Sequence, residues 1–202
     1  VLRYAITDGS RLGHDTAARH AGLLADARRW ARDAIDFVQL REKDLHGGQL
    51  LALAETFATI FREQGGRTKL LVNARADIAV AAGAAGVHLT SRPGELTPQQ
   101  VRQVFAAADC PAPLISVSCH SVADVERVRD AGVDLILFGP VFEKRVAGEF
   151  VMAGVGLEAL AEACRLAGGS QVVALGGVDA ENARQCVAVG AVGVAGIRLF
   201  DR

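Results

Sequence analysis

Short apolar runs alternate with longer amphipathic stretches along almost the whole chain. Apolar and β-branched runs predict strands near Leu2–Thr7, Ile35–Leu40, Lys69–Asn73, Gly86–Thr90, Leu114–Cys119, Val133–Phe138, Gln171–Leu175 and Val192–Ala195. Between them, helical spacing predicts helices near Ala17–Asp33, Gly48–Glu63, Ala76–Ala82, Thr97–Ala107, Val122–Ala131, Leu157–Leu166 and Ala180–Val189. Thr97 followed by Pro98 is an N-cap with proline at the first helical position, and Asp179 stands just before Ala180. Gly132, Gly168 and Gly190 fall just past helix ends, where a left-handed residue costs glycine nothing. Strands alternating with helices pair in parallel through right-handed crossovers, and eight such units in one domain close most simply into a (β/α)8 TIM barrel. An open doubly wound sheet is the main rival. With no linker or low-complexity stretch, residues 1–202 read as a single domain.

In a barrel, successive side chains of a strand point alternately to the interior and to the surrounding helices. Ile115, Val117 and Cys119 of "ISVSCHS" then face the helices, and Ser116, Ser118 and His120 face inward. In "FVQLREK" the same parity turns Gln39, Arg41 and Lys43 in. It also groups Leu71 with Asn73, and His88 with Thr90. Most of these polar positions lie at the C-terminal ends of strands, where barrel active sites are built. His88, mid-strand, reads as a core histidine with its nitrogens satisfied, and Ser116 and Ser118 as small fillers of a crowded interior. His120, at the strand end, reads as functional. Arg41 and Lys43 must either meet carboxylates or await an anion. Glu42 is on the wrong face to serve both, whereas Asp8 at the mouth of the first strand could pair with one.

Glycine-rich loops follow the last two strands: Gly176-Gly177, and Gly196 with Ile197 and Arg198. Bare backbone there can bring several N–H groups onto a phosphate, as in many barrels of this kind. The tight-turn role of such glycines is the plainer alternative. Segment Lys144–Ala153 reads as a flexible lid over the mouth.

Composition narrows the partner. Of the 202 residues half are hydrophobic and the formal net charge is -1, which speaks against both disorder and nucleic-acid binding and favours a small ligand. Cys110, Cys119, Cys164 and Cys186 form no C-x-x-C pair, so they read as reduced thiols in a cytoplasmic protein rather than zinc ligands. The N-terminal segment lacks a signal-peptide pattern, and no apolar run approaches the roughly 20 residues of a membrane span.

The motifs "YAITD", "VQLREKDL", "LLVNARADIA", "GVHL", "SVSCHS", "FGPVF", "GVGLEAL", "ALGGV" and "GVAGI" follow one another over nearly the whole chain. In this the sequence resembles the superfamily of thiamine phosphate synthase and the TenI-type thiazole tautomerase, whose fold is a (β/α)8 barrel. The resemblance implies a small phosphorylated thiazole as substrate. It aligns Gln39, Arg41, Lys43 and Asn73 with substrate contacts, and Gly176, Gly177, Ile197 and Arg198 with the phosphate loops. Barrels of this superfamily are often homo-oligomers, but no stripe here identifies an interface.

Which branch the chain follows turns on the metal. The synthases join an aminopyrimidine pyrophosphate to thiazole phosphate with Mg²⁺ held by aspartates. Here Ala74 stands for the first aspartate, Pro93 and Gly94 fall about where the second belongs, and the threonines after "FGPVF" are missing. The expectation is therefore the tautomerase branch: no cofactor, no metal, and proton transfer between two carbons by His120, with Arg41 or Lys43 on the substrate carboxylate. Two departures cut across it. Arg198 replaces the usual serine, and "QLREK" is the synthase form. The alternatives are a Mg²⁺-dependent synthase with a displaced metal site and a non-catalytic binder of thiazole or thiamine phosphate.

Overall fold

The computed structural model describes residues 1–13, 15–90, 94–146 and 149–201. In chain order the strands are β1 (Leu2–Ile6), β2 (Phe37–Leu40), β3 (Lys69–Asn73), β4 (Gly86–Leu89), β5 (Leu114–Cys119), β6 (Leu135–Phe138), β7 (Lys144–Val146), β8 (Glu149–Met152), β9 (Gln171–Leu175) and β10 (Gly193–Gly196). All but β7 and β8 join one closed barrel of parallel strands, with β10 hydrogen-bonded back to β1. Around it run α1 (Thr16–Arg32), α2 (Gly47–Glu63), α3 (Ala76–Ala81), α4 (Pro98–Ala107), α5 (Val122–Val128), α6 (Gly156–Leu166) and α7 (Ala183–Ala188). The expected TIM barrel is the fold, and the rival open sheet is excluded by the closing pair. No helix among the described residues is long and apolar enough to cross a membrane.

Strand alternation divides the apolar residues into two cores. The larger lies between barrel and helices and includes Val38, Leu40, Val87, Leu89, Ile115, Val117 and Cys119, with Trp30 of α1 packed against it. The smaller fills the barrel itself: Tyr4, Ile6, Leu71, Leu135, Leu137, Val173 and Ala195. Burying each of the larger apolar side chains contributes about 1.5–3 kcal/mol, and a single-residue slip in any strand would exchange its two faces. Close approach also fixes a glycine. A Cβ on Gly86 would lie 1.8 Å from the Leu114 carbonyl oxygen, so β4 and β5 pair this closely only without one.

Helix starts follow local chemistry. Thr97 accepts from the Gln100 N–H while the Gln100 side chain accepts from the Thr97 N–H, a capping box with Pro98 behind it. Ser121 and Asp124 build the same device at α5, which places the end of β5 firmly against the first turn of a helix. Gly132, Gly168 and Gly190 have positive φ, as their places after α5, α6 and α7 predict.

One expectation needs correction, and one segment holds strands that the pattern does not predict. The last helix begins at Ala183, not Ala180, because Asp179 accepts from the N–H groups of Glu181 and Asn182 while Asn182 accepts from Asp179 in return. That reciprocal turn occupies the residues expected to start the helix. The segment Lys144–Ala153, expected as a flexible lid, is in its described part the antiparallel pair β7–β8, with Arg145 opposite Phe150 and Val146 opposite Glu149. Residues 147–148, and with them the expected tip of the lid, lie outside the described residues.

Candidate active site

At the C-terminal ends of β2 and β3, Gln39 is 1% exposed and its Nε2 donates to Asn73 Oδ1 at 2.9 Å. Its other amide atom, Oε1, is buried with no hydrogen-bond partner among the described residues. A buried carbonyl oxygen without a donor is costly, so Gln39 keeps one acceptor unsatisfied within the described protein.

Just above Gln39 comes Arg41. Neither Arg41 nor Lys43 forms an ion pair with any described carboxylate. The structural ion pair with Asp8 is not formed: Asp8 Oδ1 accepts from the Ser10 hydroxyl instead, at 2.5 Å. Glu42, between the two cations in sequence, gives both carboxylate oxygens to the Gly9 N–H, at 3.1 and 2.9 Å. Burial raises the Glu42 carboxyl above its ordinary range, against the lowering by hydrogen bonds from Thr7 and Gly9. Arg41 is half-buried and close enough to His88 for its charge to be felt there, whereas Lys43 is exposed.

Below the mouth, His88 is 2% exposed. Its Nδ1 lies 2.8 Å from Ser116 Oγ, its Nε2 lies 2.9 Å from Ser118 Oγ, and Ser116 Oγ in turn lies 3.0 Å from the Tyr4 hydroxyl. Burial first, and the nearby Arg41 charge second, push the His88 imidazole down to about 3, so it is neutral at ordinary pH. Burial likewise raises the Tyr4 phenol despite the Ser116 bond. This Tyr4–Ser116–His88–Ser118 chain satisfies the polar interior; the expectation of a core histidine holds, and the serines are its partners rather than mere fillers.

His120 follows β5 and is exposed. Its Nδ1 lies 2.6 Å from the Gly139 carbonyl oxygen at the end of β6, and its backbone N–H donates to Asp124 Oδ2 at 2.9 Å. A carbonyl can only accept, so Nδ1 carries the proton and Nε2 is the free acceptor of the neutral ring. Asp124 is held below the usual carboxylate range: burial pushes it up, but the His120 N–H, Arg127 and Ser121 outweigh that.

Across the mouth, Gly176 and Gly177 have φ of +90° and +66°. A Cβ on Gly177 would lie 2.7 Å from the Glu143 carbonyl oxygen and from Phe142 Cβ, so packing against the segment after β6 demands this glycine whatever it binds. Asn182 Nδ2 donates to the Gly177 carbonyl at 2.9 Å, and the Phe142 N–H to the Gly176 carbonyl at 3.0 Å. The N–H groups of Gly176, Gly177, Ile197 and Arg198 donate to no described protein acceptor. The Ile197 carbonyl is reached by Arg11 Nη1 at 3.3 Å, and Arg198 is exposed. Arg41 and Lys43 follow β2, and these N–H groups follow β9 and β10, so all stand past the C-terminal ends of barrel strands.

Carboxylates for a metal are another matter. The Ala74 side chain has no ligating atom, and its φ of +57° is a left-handed conformation that suits Asn or Asp better than Ala. Pro93 lies outside the described residues, and beyond it Glu95 Oε2 accepts from the Thr90 N–H at 2.8 Å. Among the described residues no three His, Cys, Asp or Glu side chains gather at one point. Position 74 therefore offers Mg²⁺ no side-chain ligand, and Asn73 Oδ1 beside it already accepts from Gln39.

Fold and site together define a parallel barrel that carries Gln39, Arg41, Asn73 and His120 at or just past the C-terminal ends of its strands. The family model described as thiamine monophosphate synthase matches residues 4–200, and the chain belongs to that family. It is 38% identical over 195 residues to the thiamine-phosphate synthase of Methanoculleus marisnigri, covering 95% of this chain and 83% of that one. The thiamine-phosphate synthase of Neisseria meningitidis serogroup B is 35% identical over 171 residues, 84% of this chain and 78% of the relative. Among solved structures, the thiamine phosphate pyrophosphorylase from Pyrococcus furiosus superimposes with a TM-score of 0.77 at 24% identity, over 98% of this chain and 85% of that one. That likeness speaks for the fold.

Sequence reading missed the anchoring of Gly9 by Glu42 and the tautomer-fixing carbonyl of Gly139. Glu42 carried a signal, an acid between two cations on the opposite face; Gly139 carried none.

Proposed function

We propose that this enzyme of thiamine biosynthesis joins an aminopyrimidine pyrophosphate to a phosphorylated thiazole, in keeping with relatives named thiamine-phosphate synthase. The observation that carries this reading is that Arg41 and Lys43 pair with no described carboxylate, close in sequence after buried Gln39, whose Oε1 has no partner among the described residues. An aminopyrimidine offers the N–H that Gln39 Oε1 needs, and a departing pyrophosphate carries charge that the two cations offset. The thiazole phosphate is assigned to the N–H groups of Gly176, Gly177, Ile197 and Arg198. Support comes also from the relatives at 35–38% identity, all named as synthases. With alanine at position 74, more of the leaving-group charge falls to Arg41 and Lys43.

A second reading, tautomerisation of a thiazole carboxylate phosphate, is favoured by one observation: His120 keeps Nε2 free at the mouth while Ala74 offers no metal ligand. In it His120 takes a proton at one carbon and returns it at another, and Arg41 holds the carboxylate.

One experiment decides between them. Purified protein is given aminopyrimidine pyrophosphate and thiazole phosphate, with Mg²⁺ or with a chelator, and separately the thiazole carboxylate phosphate tautomer. Thiamine phosphate formed in the first mixture supports the coupling reading. Conversion only in the second replaces it with the tautomerase, and turnover in neither overturns both.

A further inference from the structure

Glu42 sits where a carboxylate should spoil an anion site. It stands between Arg41 and Lys43 in sequence, yet it forms no ion pair with either among the described residues. It is spent on the other side of the strand. Both oxygens accept from the Gly9 N–H, and the Thr7 hydroxyl lies near enough to favour its charged form. Thr7, 1% exposed, uses its oxygen at the same time to accept from the Arg41 backbone N–H at 2.9 Å. Its own N–H donates to the Gln39 carbonyl at 3.0 Å. From Gly9 the 3₁₀ turn Gly9–Leu12 leads directly to Arg11, whose guanidinium reaches the Ile197 carbonyl and Asp201.

These bonds form one continuous path from the cation rim to the loop proposed for phosphate. At one end Thr7 fixes the backbone of Arg41; at the other Arg11 touches the residue after β10. Glu42 holds the middle. Packing there is tight: a Cβ on Gly9 would lie 2.6 Å from Glu42 Oε2 and 3.3 Å from Leu23 Cδ1.

Resting on the proposed anion site at Arg41 and Lys43, we infer that Glu42 is a positioning residue that seats the turn after β1 and so sets Arg41 and the Ile197 loop for two anionic groups. It acts through Thr7, Gly9 and Arg11 and touches no ligand. The inference has a sign that simple charge does not. Removing a negative charge beside two cations should by itself tighten anion binding. Removing the strut should loosen it.

The test is calorimetric titration of the full chain with inorganic pyrophosphate at fixed ionic strength, with circular dichroism to establish that each variant is folded. Arg41→Ala is expected to bind about tenfold more weakly or worse, as loss of a charge-assisted contact implies. Glu42→Ala is expected to bind several-fold more weakly despite its lost negative charge. Glu42→Gln keeps an acceptor for Gly9 and is expected to bind at least as tightly as the parent. If Glu42→Ala does not fold, Gly9→Ala, whose methyl would push the carboxylate aside, is expected to show the same weakening with Glu42 still present. Binding by a folded Glu42→Ala that equals or exceeds the parent overturns the inference; so does unchanged binding by Gly9→Ala where that variant stands in. A parent that binds no pyrophosphate, or an Arg41→Ala that binds equally well, instead overturns the anion site and this inference with it.

Discussion

The Nδ1 of His120 lies 2.6 Å from the carbonyl oxygen of Gly139, a bond from the end of β5 to the residue after β6. It orients the ring and leaves Nε2 as the only nitrogen able to take a proton. The two readings of the site part at this residue. If proton transfer between carbons is the reaction, His120→Gln loses about 10²-fold or more in kcat while thiazole phosphate still binds. If coupling is the reaction, the same variant keeps most of its turnover. Steady-state kinetics on each substrate set separates the outcomes.

Ala74 offers a test of the metal question. Its backbone is left-handed, and its N–H is already bonded to the His88 carbonyl at 2.8 Å. Aspartate tolerates that conformation better than alanine, so Ala74→Asp is expected to leave the melting temperature unchanged or slightly raised. It also puts a carboxylate beside Asn73. A coupling rate that becomes more responsive to Mg²⁺ in this variant is the expected result; a rate indifferent to Mg²⁺ in both proteins would mean that a carboxylate at 74 is not what limits metal use.

His88 predicts a pH dependence of stability. In the unfolded chain its imidazole titrates near 6.5, whereas in the fold burial and then Arg41 hold it down to about 3. Between those values the unfolded state binds the extra proton, so stability falls as pH is lowered from about 6.5 toward 3. The urea midpoint should drop by an amount worth several kcal/mol over that window. In His88→Gln the drop should be shallower, from a lower starting stability at neutral pH.

Gly177 should resist substitution for reasons of packing. Alanine there would adopt a left-handed conformation and press its methyl on the Glu143 carbonyl, and the two penalties together are about 2 kcal/mol or more. Chemical denaturation of Gly177→Ala measures it. A loss well under 1 kcal/mol would show that the segment after β6 yields.

How far the chain could be read by eye depended on the distance over which each feature is decided. Strand parity is local, and it assigned Gln39, Asn73, His88, Ser116 and Ser118 to the interior; His120 extends the same series at the end of β5. Capping chemistry is local too, so Thr97 and Pro98 marked α4 to within a residue. The Asp179–Asn182 turn is equally local, but it uses the same residues that start a helix, and the pattern alone could not choose between them. Glu42 reaches Gly9 across 33 positions, and His120 reaches Gly139 across 19, so neither bond leaves a periodic trace. The β7–β8 pair was hidden because charged residues and glycine break the alternation by which strands are recognised. The branch of the family was the least legible: "QLREK" and Ala74 point in opposite directions, and only chemistry with substrates weighs one against the other.

The separation of the two cores has a practical side. The chain has one tryptophan and one tyrosine. Trp30 lies in the packing between barrel and helices, and Tyr4 inside the barrel, bonded to Ser116. Each compartment therefore carries its own native chromophore, and the emission of one and the near-ultraviolet signal of the other report on different interiors of the same molecule. Whether helices peel away before the strands part, or both give way at once, can be watched without attaching a label.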